Sequence, residues 1–404
     1  MSPAGLLNPA KGISGMAFFS SRPRIAVIGA GIIGLSAAYE LAVRRGARVT
    51  IYDVRPPGRG ASWAAAGMLA PAFEAAAEPG VHPRLFELCL ASAALWPAFA
   101  EELAARSGID VGFDRTPSLA AALDAGEAER LRRIAAVLST AGVGHTALAA
   151  AEIFAMEPTL NPEVLGGLEL ASDFRVHNRQ TVTALLAALR ASSKVTFVEG
   201  AAPLKSAGGK LALEGHDAVL VAAGWETAVI KVEEQGALFS LVNWDTALDD
   251  IDCHGGQMLS VVAGAGAPKR VVRAGHVYLV PRGGQVVIGA TVEPDRVIDA
   301  PEAEVIEALR LEGVRLCPGL ADAPVAESWA GVRPGTPDQA PFIGETITPG
   351  LFVAAGHYRN GILLAPVTAR LLADLILEGK RSDLIEAFSP RRPFVGPATL
   401  SSAH

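Results

Sequence analysis

Cysteine is scarce in this chain: three in 404 residues, Cys89, Cys253 and Cys317. They lie far apart, are odd in number and form no C-x-x-C pair. That excludes a disulfide framework and reads as reduced thiols in a cytoplasmic protein. Metal-binding spacing is lacking too. The eight histidines are scattered, with neither H-x-x-x-H nor H-E-x-x-H, so no metal site is expected. Positive charge has no surplus. Lys and Arg number 35 against 42 Asp and Glu, a net charge of −7, and no basic stripe marks a nucleic-acid binder. Long apolar runs are missing as well. The longest candidate, 362–377, is broken by Pro366, Arg370 and Asp374, short of the ~18 apolar residues of a membrane span. Residues 1–23 carry Pro, Gly and Ser without a continuous apolar stretch. They read as an N-terminal extension rather than a signal peptide, with Met16 a second candidate start.

What remains is an Ala- and Gly-rich globular composition, 50% hydrophobic and 19% charged with 42 Gly, and a length that calls for two lobes. Residues 24–29 read as a buried strand, 32–45 as an amphipathic helix stopped by Gly46, and 48–53 as a second strand, which makes a βαβ unit. Residues 87–160 are dominated by helical patterns, such as 85–103 and 127–138. Residues 176–190 are a further helix, followed by strands at 194–198 and 217–224. From 256 to 291 short strands alternate with Gly turns, the pattern of an antiparallel sheet, and 303–316 is a helix. A strand at 351–355 and a helix at 360–377 return to the α/β style. The expected fold is α/β with two domains: a Rossmann-type nucleotide lobe visited several times by the chain, and a substrate lobe with a mainly antiparallel sheet and helices. The boundaries drawn are 24–88, 168–230 and 330–388 for the first lobe, 89–167 and 231–329 for the second, and a C-terminal tail at 389–404.

Gly29-Ala-Gly31-Ile-Ile-Gly34 is a G-x-G-x-x-G placed between strand and helix. Gly29 permits the tight turn, Gly31 lets the backbone approach a pyrophosphate, and Gly34 lets helix and strand pack closely. The amides at the helix start face the phosphates. Asp53 ends the second strand, where a carboxylate can bind a ribose hydroxyl. The unit specifies a dinucleotide and does not by itself choose between NAD and FAD.

Three further segments bear on that choice: Ala61-Ser-Trp-Ala-Ala-Ala-Gly-Met-Leu-Ala-Pro71, Trp329-Ala-Gly-Val-Arg-Pro-Gly-Thr-Pro-Asp338 and Gly356-His-Tyr-Arg-Asn-Gly-Ile-Leu-Leu-Ala-Pro366. With the fingerprint they resemble the D-amino-acid oxidase superfamily, and within it the glycine oxidases of thiamine biosynthesis. The resemblance runs from residue 24 to about 388, and its last motif is the most specific. It implies FAD contacts at Ile32 and Ile33, at Asp53 and Val54, and at Ala61, Ser62, Ala66, Gly67 and Met68. They continue through His357, Tyr358, Arg359, Asn360, Gly361, Ile362 and Leu363. The small residues 64–67 leave room for a flat ring. The helix starting at Gly361 would turn its positive dipole end toward the flavin edge that gains charge on reduction. The family also holds adenine by the backbone of a residue that falls here on Pro203, which has no N–H and keeps only its carbonyl. Sarcosine oxidases attach flavin to a cysteine near the position of Gly331. The nearest here is Cys317, so FAD is expected to be non-covalent.

The resemblance also places substrate groups. Arg333 matches the arginine that binds a carboxylate with its planar fork, Tyr278 the tyrosine that forms the second clamp, and Arg359 a backbone contact. His276 is expected on the same strand face as Tyr278, in a structural role. The implied reaction is oxidative deamination of glycine or a similar small amino acid. In it Cα–H leaves as hydride to flavin N5, dioxygen accepts the electrons, and the imine hydrolyses or is passed on. The alternative is a related flavin oxidase or dehydrogenase acting on another D-amino or N-methyl amino acid. Val292 stands where sarcosine oxidases have Lys, which argues against that arrangement. Three segments depart from the family pattern: 223–225, 231–250 and 252–259. They leave the side-chain preference open, and a homo-oligomer is neither required nor excluded.

Overall fold

Ile25-Ala-Val-Ile28 offers a strand no polar face, so it belongs between two neighbours with both sides covered. The computed structural model, which describes residues 23–75, 81–207 and 210–393, buries all four in a six-stranded sheet. Across that sheet run Phe342–Glu345, Leu351–Ala355, Ala218–Val221, Arg24–Ile28, Arg48–Asp53 and Val195–Glu199. All are parallel except the first, which pairs antiparallel with Leu351–Ala355. Alternate residues sort to opposite faces. Ile25 and Val27 pack with Leu35, Trp96, Leu185 and Leu372 of the helices Ile32–Ala38, Leu85–Ser107, Asn178–Arg190 and Gly361–Glu378. Ala26 and Ile28 pack under a four-stranded sheet through Leu204, Leu211 and Val232. Past Ala38 the first helix widens into a π-type turn, Tyr39–Arg44.

The last helix runs through Pro366, in line with the helix expected at 360–377. The helix runs unbroken from Gly361 to Glu378. A proline inside a helix displaces the preceding turn and frees backbone groups there. Here Ser92 Oγ and Trp96 Nε1 donate to the Leu363 carbonyl at 2.6 and 2.8 Å, and the Val367 amide turns to Ser92 Oγ at 3.4 Å. The helical segments Leu85–Ser107 and Tyr358–Glu378 are both long and apolar enough to cross a membrane. In this fold they pack against each other inside the first lobe.

The second lobe is built on a nine-stranded sheet. Its long spine, Asp252–Val262, pairs antiparallel with Val325–Gly335 on one side and Gln285–Gly289 on the other. Val277–Arg282, Val272–Ala274, Ser118–Ala122, Gly166–Leu170 and His145–Ala149 extend it. The helices Ala125–Thr140 and Ala303–Leu316 cover it through Leu131, Ile134 and Leu138 and through Leu309 and Leu316.

Several expectations are corrected here. The stretch 87–160 is not uniformly helical, because Ser118–Ala122 and His145–Ala149 are strands. Ser-Leu-Ala-Ala-Ala carries no strand signal of its own. Its neighbours Gly166–Leu170 and Val272–Ala274 bury every residue of it, so tertiary pairing overrides alanine's helix propensity. The lobe boundaries also fall elsewhere. The lines at 168 and 330 cut strands that lie wholly in the second sheet. Helix Leu85–Ser107 belongs to the first core. Lys231–Glu234 pairs with Leu204–Ala207 on one side and Ala237–Ser240 on the other, so the unusual residues there belong to the first lobe rather than the second. In the expected tail, Arg392 is buried and paired with Asp338 at 2.8 Å. Residues 1–22 and 394–404 lie outside the described residues. His276 is exposed in the turn before Val277–Arg282 rather than on its face.

The loop between the lobes is tied down by His177, which caps helix Asn178–Arg190 by accepting the Gln180 amide at its Nδ1. Burial and the Arg282 and Arg179 guanidiniums push its pKa from 6.5 to about 4. The unfolded chain therefore binds a proton that the folded one refuses. Stability present above pH 6.5 is lost as pH falls toward about 4. Melting scans across that window should show a falling curve, flatter in His177→Asn, which keeps an acceptor for the cap. Parallel curves for the two proteins would refute the assignment.

Candidate cofactor and substrate site

Five parallel strands end on the same side of the first sheet, and the chain leaves them at Gly29, Val54, Gly200, Ala222 and Gly356. In an open α/β sheet this is where ligands bind. A cavity of about 900 Å³ lies there and runs on into the second lobe, at the upper end of the range for cofactor sites, roughly 300–1,000 Å³. Gly29 has φ +107°, and a Cβ on it would sit 2.3 Å from the Ala222 carbonyl oxygen. Asp53 is fixed by accepting the Ala30 amide at 2.7 Å and the Arg55 amide at 2.9 Å, which aims its carboxylate along the crevice. Ser62 Oγ accepts the Ile32 amide at 2.8 Å.

The cavity walls fit a long, flat dinucleotide. Gly60, Gly200 and Gly224 line it, and a side chain on any of them would project into open space. Ala64, Ala65, Ala66, Gly67 and Met68 form a low wall in the middle. That wall is held by Trp329 Nε1 donating to the Ala64 carbonyl at 2.9 Å and by Asn178 Nδ2 donating to the Ser62 carbonyl at 2.8 Å. Opposite stand His357, Tyr358, Asn360, Gly361 and Ile362, at the start of helix Gly361–Glu378. His357 is buried against Thr368 Oγ1 at 3.1 Å, and burial lowers its pKa to about 3. It is a neutral wall residue. Tyr358 is held at φ +45° with its ring edge-on to His254, 4.9 Å away.

At the far end the cavity meets Tyr278, Arg333 and Arg359. Arg333 stands half-buried on Val325–Gly335 and donates from one Nη to the Gly255 and Thr291 carbonyls at 3.3 and 3.2 Å. Gly256 and Gly289 make room for this pair: a Cβ would come within 2.3 Å of the Arg333 guanidinium or the Tyr278 ring, respectively. Burial pushes the Tyr278 phenol up despite the pull of the Arg333 and Arg273 charges, so it remains a hydroxyl donor.

The structure thus brings most of the anticipated residues to one cavity: Gly29, Gly31, Ile32 and Ile33; Asp53 and Val54; Ala61, Ser62, Ala66, Gly67 and Met68; Pro203; and 357–362, with Tyr278 and Arg333. Two do not line it. Gly34 packs helix against strand, with a notional Cβ only 1.9 Å from the Gly29 oxygen. Leu363 turns into the helical core, and its carbonyl is taken by Ser92 and Trp96. Cys317 is in the second lobe's core, where its thiol donates to the Thr159 and Gly266 carbonyls. Sequence reasoning missed Arg273 and Glu74. Both line the cavity, but neither sits in a recognisable motif, and only strand pairing places Arg273 opposite Tyr278.

A dinucleotide crevice opening onto a pocket of arginines and a tyrosine defines a dinucleotide-dependent oxidoreductase. The chain belongs to the DAO family of FAD dependent oxidoreductases, whose model matches residues 24–375. It is 34% identical over 383 residues to a bifunctional protein ThiO/ThiG of Synechocystis, covering 91% of this chain and 54% of that protein. It therefore spans about half the length of that relative. It is 35% identical to a glycine oxidase of Geobacillus kaustophilus over 87% of this chain and 92% of that one. The crystal structure of glycine oxidase from that organism superposes with a TM-score of 0.81 at 33% identity, over 93% of this chain and all of that one.

Proposed function

We propose that this protein oxidises the C–N bond of a small amino acid, glycine or one like it, to the imino acid, which water then converts to the keto acid and ammonia. The observation that carries this reading is Arg333 beside the Tyr278 hydroxyl at the inner end of the crevice. The free edge of the guanidinium offers a fork to a carboxylate, and the phenol adds one donor. Gripping the carboxylate there sets Cα against the low wall 64–68, and the reaction gains from orientation rather than from a protein base. Non-covalent FAD, held between the Gly29–Gly34 turn, Asp53, Ser62 and the start of helix Gly361–Glu378, supplies a two-electron acceptor that dioxygen regenerates. The Geobacillus kaustophilus relative, similar in sequence and in crystal structure, carries the name glycine oxidase, which supports the reaction class. A cytoplasmic site of action is supported by three cysteines that remain unpaired.

The test is to mix the flavin-loaded protein anaerobically with glycine, sarcosine and D-alanine and follow flavin absorbance. Bleaching by at least one is expected, and no bleaching by any refutes the reading. Substrate-dependent peroxide in air then separates an oxidase from a dehydrogenase.

A further inference from the structure

Arg273 has a burden of polar donors that the fold does not satisfy. Its side chain is 3% exposed, yet it stands on the cavity wall. It stacks on Phe73 with the guanidinium carbon 4.4 Å from the ring centre, which fixes the plane of its fork. One Nη donates to Glu74 Oε1 at 2.5 Å. The other reaches only the thioether of Met68, at 3.1 Å, a weak acceptor. The Nε is buried with no hydrogen-bond partner among the described residues. Leaving guanidinium donors buried and unmatched is costly, and Phe73, Glu74 and Met68 all line the same cavity.

The local charge points the same way. Glu74 is shared: its second oxygen faces Arg359 at 3.4 Å. Burial alone would raise the Glu74 carboxyl, but the Arg273 and Arg359 guanidiniums hold it at about 2, so it carries one full negative charge. Asp173 also feels Arg273, but burial pushes its carboxyl up to about 7 and its oxygens are taken by the Ala72 and Phe73 amides, so Arg273, Arg333 and Arg359 outnumber the carboxylates facing them. Asp299 also lines the cavity, but at its exposed side. Register sets Arg273 directly opposite Tyr278, so it flanks the Arg333–Tyr278 clamp from the Met68 side.

We propose that Arg273 is a second carboxylate-binding group, and that the preferred substrate is a small amino acid carrying two carboxylates. The first carboxylate is gripped by Arg333 and Tyr278. The second displaces the Met68 thioether from the Arg273 fork. Glu74 keeps the guanidinium in place and sets the upper limit on how much anion the pocket accepts. This rests on the amino-acid oxidation proposed above.

The first test uses the unaltered flavin-loaded protein and two ligands that cannot be oxidised. Acetate and malonate are titrated against the visible flavin spectrum. Malonate is expected to bind at least ~10-fold more tightly, the scale of one added charge-assisted contact. Equal affinities overturn the proposal. The second test compares anaerobic flavin reduction by iminodiacetate and by glycine. The kcat/KM ratio of iminodiacetate to glycine should exceed one, and it should fall roughly 100-fold in Arg273→Met. Arg273→Lys, which keeps the charge and loses the fork, should lie between. An unchanged ratio in Arg273→Met overturns the proposal. If glycine bleaches the flavin while iminodiacetate is no better and malonate matches acetate, only this inference falls. If no amino acid bleaches it, the reading of the whole site falls.

Discussion

Arg333→Ala is expected to cut kcat/KM for the amino acid roughly 30- to 5,000-fold while the purified protein stays yellow. The size follows from truncating one partner of a desolvated charge pair, about 2–5 kcal/mol, much of it the cost of a carboxylate left buried without its cation. Flavin retention follows from where Arg333 sits. Its strand is paired residue by residue with Asp252–Val262, from Gly335 opposite Asp252 to Trp329 opposite Met258. Losing the side chain removes two bonds to carbonyls, from Gly255 and Thr291, and leaves that ladder intact. The residues that form the dinucleotide crevice are on the other lobe. Arg333→Lys should recover part of the loss, because it restores the charge without the planar fork. Anaerobic reduction at rising substrate concentration separates the effects: the apparent dissociation constant should rise far more than the limiting rate falls. A variant that oxidises substrate like the parent would remove Arg333 from the clamp. One that is purified colourless would mean that the arginine supports the crevice instead.

Much of this was legible before any coordinates, because the two halves of the site announce themselves differently. The Gly29–Gly34 turn and Asp53 are local: strand, turn, helix and acidic strand end follow each other in the chain, so their geometry is written in spacing. The stretch 357–362 was readable only through family resemblance, since a Gly-started helix is common and nothing in its residues names a flavin. Arg273 and Glu74 were illegible for a physical reason. They meet because Val272–Ala274 pairs with Val277–Arg282 and because helix Pro71–Ala75 lies against that sheet, a long-range contact without a sequence period. The errors have the same origin. Ser118–Ala122 is a strand only because its partners bury it. The resemblance implies a flavin contact at Leu363, whereas the helical turn rotates it into the core.

The second large effect lies at a residue that touches no ligand. Gly34→Ala should yield a protein that fails to retain FAD, with affinity reduced at least ~100-fold, equivalent to about 2.7 kcal/mol. Gly34 is helical, so no unusual dihedral requires glycine there. The constraint is distance. A Cβ would lie 1.9 Å from the Gly29 oxygen, 3.1 Å from its carbonyl carbon and 3.3 Å from Val27 Cγ1. The first two are backbone atoms at the end of a central strand and have no rotamer to adopt. Gly29 cannot retreat either. Its amide is tied to the Tyr52 carbonyl at 2.8 Å, and it already presses on Ala222. The helix must therefore move, by roughly an ångström, in a close-packed core where overpacking costs about 1–3 kcal/mol. That movement drags the Ile32 amide off Ser62 and turns the helix start away from the crevice. Loss of stability and loss of cofactor should thus appear together, as a lower melting temperature and a reduced visible absorbance per protein. Gly264→Ala is the control, since a Cβ there meets nothing within 4 Å, and it should remain fully flavinylated in the non-covalent sense. A Gly34→Ala protein as yellow and as stable as the parent would show that the strand end yields, and that the close approach of helix to strand is not what builds this site.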